Sequence, residues 1–154
     1  MADKPHLETA LRAVVVDETG KGDFQQLVTI GHHRLLADEP ASMGGGGTGP
    51  TPYDLLLASL GTCTAMTIRM YARLKEIPLE GVRVTLRHDR VHAEDCADCE
   101  TREGRVDRLT RRITLTGPEL TGEQRKRMLE IADKCPVHRT LTSDIIIVTE
   151  EDVP

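Results

Sequence analysis

Aromatic side chains are nearly missing from this chain: its 154 residues hold no Trp, one Phe (Phe24) and two Tyr (Tyr53 and Tyr71). The core has to be built from Leu, Ile, Val, Met and Ala, and the stacking platform of a single-strand nucleic-acid binder is excluded. Basic clusters are missing as well. The formal net charge is −5, with Lys and Arg scattered singly, so the electrostatic footprint of a nucleic-acid partner is lacking. No run approaches the ~18 apolar residues of a membrane helix, and the opening Met1-Ala2-Asp3-Lys4-Pro5 is not a cationic, apolar leader. The expectation is a cytoplasmic protein with no membrane partner.

A chain of this length buries roughly 68–70% of its unfolded surface, enough for one core over residues 1–154 without metal or disulfide staples. A core so poor in aromatics is often completed by a subunit interface, so an oligomer is expected. What the chain does have is four cysteines, Cys63, Cys96, Cys99 and Cys135. In a cytosolic-looking sequence these point to metal binding or thiol chemistry rather than to a disulfide framework.

The hydropathy pattern predicts an antiparallel meander over residues 10–17, 23–30 and 32–38, with the first turn at Gly20 and Gly22. Residues 39–51, with Gly44-Gly45-Gly46-Gly47 and two prolines, read as a mobile loop, a hinge or lid. The four glycines match a dinucleotide fingerprint only literally, because no parallel βαβ unit surrounds them. From Pro52 to Lys75 the period turns helical: Leu56, Leu60, Cys63, Thr67, Met70 and Leu74 form a seam, and Leu55, Leu57 and Ala58 widen it toward deep burial. Thr51 is placed to cap this helix, and Pro78 to end it.

Residues 81–92 and 105–116 read as the two strands of a hairpin, with Leu109, Ile113 and Leu115 as the apolar members of the second. Thr121 and Gln124 form a capping box that opens a second helix through Met128, Ile131, Ala132 and Cys135, stopped by Pro136. Residues 144–149, with Ile145-Ile146-Ile147-Val148, are apolar on both faces and read as a central strand. The sum is an α+β fold with antiparallel sheets and two principal helices.

Cys63 and Cys135 each fall on an apolar helix stripe, where a free thiol is often only a small hydrophobe. If both stripes face one core, however, the two thiols become neighbours. His138 and Arg139 follow Cys135 closely, where cations favour a thiolate. A thiolate that attacks a peroxide O–O bond becomes a sulfenic acid, and a second thiol condenses with it into a disulfide.

The run Gly49-Pro50-Thr51-Pro52-Tyr53-Asp54-Leu55-Leu56-Leu57-Ala58-Ser59-Leu60-Gly61-Thr62-Cys63-Thr64-Ala65-Met66, followed by Lys134-Cys135-Pro136-Val137-His138, resembles the OsmC/Ohr family, which includes osmotically inducible protein C and the organic hydroperoxide resistance proteins. The resemblance runs from about Ala10 to Thr149. It implies antiparallel sheets wrapped around two central helices in an intertwined homodimer, with active sites at the subunit interface. It further implies a peroxidase reducing organic hydroperoxides, with Cys63 peroxidatic, Cys135 resolving and Arg34 holding the thiolate. No bound cofactor is then required, and an external dithiol, lipoyl or thioredoxin-like, restores the reduced protein. Where the family carries a glutamate after the proline of the helix start, this chain has Tyr53 with Asp54 next. The carboxylate role is therefore assigned to Asp54 or, from the loop, to Glu39. That departure also fits an OsmC-like subgroup acting on another substrate, such as a thiol or persulfide. Leu56, Leu60, Met66, Met70 and Tyr53 are the expected lining for an alkyl chain.

A second constellation, His88, His92, Cys96 and Cys99, offers four nitrogen and sulfur ligands within twelve positions, a candidate zinc site. It defines the rival reading, a non-peroxidatic module of the same fold that binds zinc or a small ligand. A labile surface dithiol at Cys96 and Cys99, or a passive polar loop, are the other readings of that segment.

Overall fold

The computed structural model describes residues 13–92, except the His92 side chain, and 104–151. It is a mixed α+β structure with two small antiparallel sheets and helices. The chain divides into two compact units, Met1–Leu55 and Leu56–Pro154.

The first unit carries a meander of β1 (Val14–Glu18), β2 (Gln26–Ile30) and β3 (His33–Ala37). Val16 faces Val28 across the first pair, and Val28 faces Leu35 across the second. Val28 and Ala37 are buried, whereas the three valines of β1 are about half exposed. The glycine-rich segment is not the loose connector its composition suggests. Asp38 is buried, and its carboxylate accepts hydrogen bonds from the amides of Glu39 (2.8 Å), Gly46 (3.1 Å) and Thr48 (3.1 Å), and from the Thr48 hydroxyl (2.7 Å). Those donors hold its pKa below the ordinary carboxyl value, the Thr48 hydroxyl most of all. A short 3-10 turn, Ala41–Met43, fits inside the loop. Gly45 has to be glycine because a Cβ there would stand 1.9 Å from the Glu39 carbonyl oxygen.

Helix α1 (Pro52–Leu74) is followed by the hairpin strands β4 (Gly81–His92) and β5 (Arg105–Thr116). They pair in unbroken register from Gly81 opposite Thr116 to His92 opposite Arg105. The buried row of α1 is Leu60, Thr64, Ile68 and Ala72, spaced by four, and not the seam read from the sequence. Met70 and Leu74 of that seam are 68% and 76% exposed. By length and composition α1 is also apolar enough to cross a bilayer, a correction to the sequence reading, yet its inner row is core. The helix ends ahead of Pro78. Glu76 adopts a left-handed φ of 51°, and the Ile77 amide returns to the Ala72 carbonyl at 2.8 Å, a Schellman-type closure.

Helix α2 (Gly122–Ala132) starts with the predicted capping box: Gln124 N–H donates to Thr121 Oγ1 at 3.1 Å, and Thr121 N–H donates to Gln124 Oε1 at 3.0 Å. Ile68, Ala72, Leu79, Leu115, Leu120, Met128 and Ala132 form the core of this unit, aliphatic as the composition required. Two expectations fail here. Cys135 is not the tail of α2 but the residue before a separate short helix α3 (Pro136–Leu141), because Pro136 suits a first helical position and starts a helix instead of merely stopping one. Residues 144–149 lie outside both sheets, with Ile146 and Ile147 at 89% and 85% exposure, so they are not a central strand. The meander and the hairpin already pair among themselves without them.

Candidate functional site

Cys63 lies in the middle of α1, and close approach of the hairpin to the preceding turn is allowed by Gly61, where a Cβ would come 2.7 Å from Leu86 Cδ1. Cys135 arrives from the other side of the core. Asp133 still has helical angles, but Cys135 (φ −56°, ψ 131°) turns the chain out and becomes the N-cap of α3. A capping side chain normally meets the N–H groups two and three residues on. The Val137 and His138 amides lie where they favour a Cys135 thiolate, although neither makes a conventional capping hydrogen bond to the sulfur.

The two thiols are free and interact with each other. Cys135 is fully buried, and Cys63 is half-buried. Burial pushes the Cys63 thiol above its ordinary value, and the role of S–H donor to Cys135 pushes it further; the Val137 amide and the Thr67 hydroxyl oppose this only in part. Burial also pushes Cys135 upward, but donation from Cys63, from the His138 and Val137 amides and from the Thr64 hydroxyl outweighs it, and the net direction is downward. The two thiols therefore titrate as a pair, and the first ionisation belongs to the pair.

Around this pair stands a group of residues that the sequence reading passed over. Arg111 of β5 donates through Nη1 to Thr64 Oγ1 (2.9 Å) and to the Ala132 carbonyl (3.2 Å), and through Nη2 to Asp133 Oδ1 (2.6 Å). Its side chain is 13% exposed. His138 Nδ1 is 3.8 Å from the same Asp133 oxygen. A cavity of about 340 Å³ opens beside them, walled by Leu60, Leu109 and Leu141 and by Arg111, His138 and Asp107. A signal for Arg111 was present: in strand parity it falls between Leu109 and Ile113 on the inward face. Thr64 likewise falls between Leu60 and Ile68 on the buried row of α1.

Arg34 is exposed on β3. Asp54 Oδ2 accepts from Thr51 N–H (2.9 Å) and Oγ1–H (2.8 Å), while Asp54 N–H donates to Thr51 Oγ1 (3.2 Å). That reciprocal cap at the start of α1 holds the Asp54 pKa low. Glu39 contributes its carbonyl to the glycine loop, accepting from Gly47 N–H at 3.0 Å. Of the expected alkyl pocket, Leu60 lines the cavity beside Arg111 and His138, Leu56 is half-buried and Tyr53 is 47% exposed. Met66 and Met70 line an open groove of about 540 Å³ with Arg69, Arg73 and Leu74, a different cavity from that of Leu60. His88 Nε2 is 2.7 Å from Asp107 Oδ1. The remainder of the proposed zinc set, the His92 side chain, Cys96 and Cys99, lies outside the described residues, and among the described residues no metal-binding cluster occurs.

Comparison with known proteins follows the same lines. The family model described as OsmC-like protein matches residues 44–150. A provisionally named osmotic stress induced and detoxification response protein from Psychrobacter arcticus is 25% identical, with a TM-score of 0.64 over 82% of this chain and 85% of that one. The organic hydroperoxide resistance protein OsmC of Legionella pneumophila is 23% identical, with a TM-score of 0.61 over 86% and 91% of the two chains. An OsmC-like protein of Mycoplasma pneumoniae is 18% identical, with a TM-score of 0.61 over 84% of each. No curated protein sequence matches the chain.

Proposed function

Because the chain belongs to the OsmC-like family, one linked to osmotic stress and hydroperoxide resistance, we propose that it reduces organic hydroperoxides through Cys63 and Cys135. The observation that carries this reading is a pair of free thiols that interact with each other, one half-buried on α1 and one buried at the residue that opens α3.

The half-buried Cys63 meets the substrate. Its proton passes to the Cys135 thiolate, and the Cys63 thiolate attacks the terminal peroxide oxygen. The O–O bond breaks, Cys63 becomes a sulfenic acid, and the departing alkoxide takes the proton back from Cys135 to leave as an alcohol. The Cys135 thiolate then attacks the Cys63 sulfur, forming the disulfide and releasing hydroxide. An external dithiol, lipoyl or thioredoxin-like, returns both sulfurs to the reduced state. The cavity walled by Leu60, Leu109 and Leu141 suits the alkyl part of the substrate, and Arg34 is the cation assigned to the Cys63 thiolate. The working form is a homodimer in the cytoplasm. Exposed apolar side chains on β1, along Met66, Met70 and Leu74 of α1, and at Ile145–Val148 support a second copy as their cover.

The test is consumption of cumene hydroperoxide with dihydrolipoamide as reductant. Turnover by the wild type is expected, with complete loss in Cys63→Ser and, in Cys135→Ser, a Cys63 sulfenic acid trapped by dimedone after one turnover. A wild type that consumes no peroxide, or a Cys63→Ser variant that keeps its rate, overturns the proposal.

A further inference from the structure

We propose that the outward face of the β4–β5 hairpin is a docking surface for the phosphate backbone of a nucleic-acid duplex, bound without regard to its sequence. The inference goes beyond the peroxidase reading and does not depend on it.

Along the chain the arginines are scattered singly, but across the register of the hairpin four of them share one face. Val82, Ile113 and Leu115 belong to or pack against the core. Residues of the opposite parity therefore point outward, and Arg83 and Arg87 of β4, with Arg108 and Arg112 of β5, are all exposed. Arg83 stands opposite Thr114, Arg112 opposite Thr85, and Arg87 opposite Thr110. These three cations alternate between the strands in successive rows, each ~8 Å from the next, with a threonine across from every one. The carboxylate in the next row, Asp89, is already taken: Arg108 donates to it through Nε at 2.9 Å and Nη2 at 2.8 Å. Arg83, Arg87 and Arg112 have no hydrogen bond or ion pair among the described residues. Strand pairing thus assembles an electrostatic footprint that the linear sequence lacks.

The composition of this face selects its partner. Guanidinium forks and hydroxyls are the side-chain groups that hold phosphate oxygens, and such contacts carry no sequence information. Arg83 and Arg87 are ~13 Å apart along β4, a distance over which one strand of a DNA duplex presents about four phosphates at one per ~3.4 Å of axis. Three unpaired cations meet a row of charge of matching length. No aromatic side chain stands among these rows to stack an unpaired base, which disfavours a single strand. No apolar one stands between the arginines to enter a bilayer. An acidic protein would make only exposed ion pairs here, which contribute little, whereas each phosphate neutralised releases condensed counterions. The formal net charge of −5 makes the remaining surface repel the same polyanion, which directs the duplex to this face. Leu109 and Arg111, of the opposite parity, line the cavity with His138, so the duplex and the cavity lie on opposite sides of the hairpin.

The experiment is fluorescence anisotropy of a labelled DNA duplex of about 20 bp, titrated with the reduced full-length protein between about 10 and about 100 mM NaCl. Three neutralised phosphates give an expected slope of log K against log [NaCl] of about −2.7. Arg83→Gln, Arg87→Gln and Arg112→Gln should each reduce it to about −1.8 and weaken binding to unrelated duplex sequences alike, and the triple variant should not bind. Arg87→Lys, which keeps the charge, should keep the slope, and so separates loss of a contact from loss of the fold. Lys126→Gln, exposed on α2, should leave binding unchanged. No binding at the lowest salt, a slope unmoved in the triple variant, or equal weakening by Lys126→Gln overturns the proposal. So does tighter binding of the single strand. Displacement of the duplex by poly-L-glutamate or by phosphatidylserine vesicles at equal or lower charge concentration also overturns it, and assigns the face to an acidic protein or to a membrane. Peroxide turnover is not read in this assay, so the two proposals fail separately.

Discussion

Asp38 accepts hydrogen bonds from both the amide and the hydroxyl of Thr48, at 3.1 and 2.7 Å, and so closes the glycine-rich segment on the strand that precedes it. Its carboxyl has a folded pKa below the ordinary value of 3.8, and the bonds to Thr48 are the largest cause. A depressed carboxyl contributes stability above the unfolded pKa and loses it as pH falls through the folded one. Asp38→Asn is therefore expected to lower the melting temperature at pH 7, with the gap from the wild type narrowing below pH 3.8. A gap that stays constant down to pH 2 would contradict this account.

Gly61 and Leu86 make a second testable pair. Alanine at position 61 gains about 1 kcal/mol of helix propensity, but its Cβ meets Leu86 Cδ1 at 2.7 Å. That atom is the end of a flexible side chain, so Gly61→Ala is expected to be close to neutral in urea unfolding. In a Leu86→Ala background the same change should stabilise by about 1 kcal/mol. Gly61→Leu, which cannot be accommodated by one rotamer change, is expected to cost about 1–3 kcal/mol.

Thr121→Ala removes the hydroxyl that receives the Gln124 amide and is expected to cost about 1 kcal/mol in the same assay, with Thr121→Ser restoring it. Because α2 brings Met128 and Ala132 into the core, the loss should appear in the global transition and not as local fraying.

The thiol pair makes a pH prediction of its own. Cys135 titrates below its ordinary value of 9.0, and donation from Cys63 is the largest influence in that direction. Cys63→Ala removes the donor and is expected to move the Cys135 titration upward; Cys63→Ser, with a hydroxyl in place of the thiol, should move it less. Thiolate absorbance or cysteine ¹³Cβ shifts decide between them. In the wild type, peroxide consumption should rise with pH through the first ionisation of the pair, at a pH below 9.0.

Much of this was legible in the chain. The helix over 52–75, the hairpin at 81–92 and 105–116, and the capping box at Thr121 appear where their periods and caps place them. The two cysteines were also legible as a pair. What periodicity could not decide was which of two overlapping apolar rows on α1 faces inward, since Leu60 belongs to both; packing chose Thr64, Ile68 and Ala72 and left Met70 and Leu74 outside. Arg111 was missed because a charge in a strand reads as solvent-facing, although its parity with Leu109 and Ile113 said otherwise. The end of α2 was misread for a related reason. Cys135 continues the apolar spacing of that helix, but the proline after it disfavours helical angles at Cys135 itself.

The unequal depth of the two sulfurs also bears on damage. An oxidant arriving from solvent finds Cys63 first, while Cys135 has no surface to offer it. Under excess peroxide the irreversible sulfinic and sulfonic products should accumulate on the outer position alone, and the inner sulfur should stay intact as a witness in the mass spectrum of the inactivated protein.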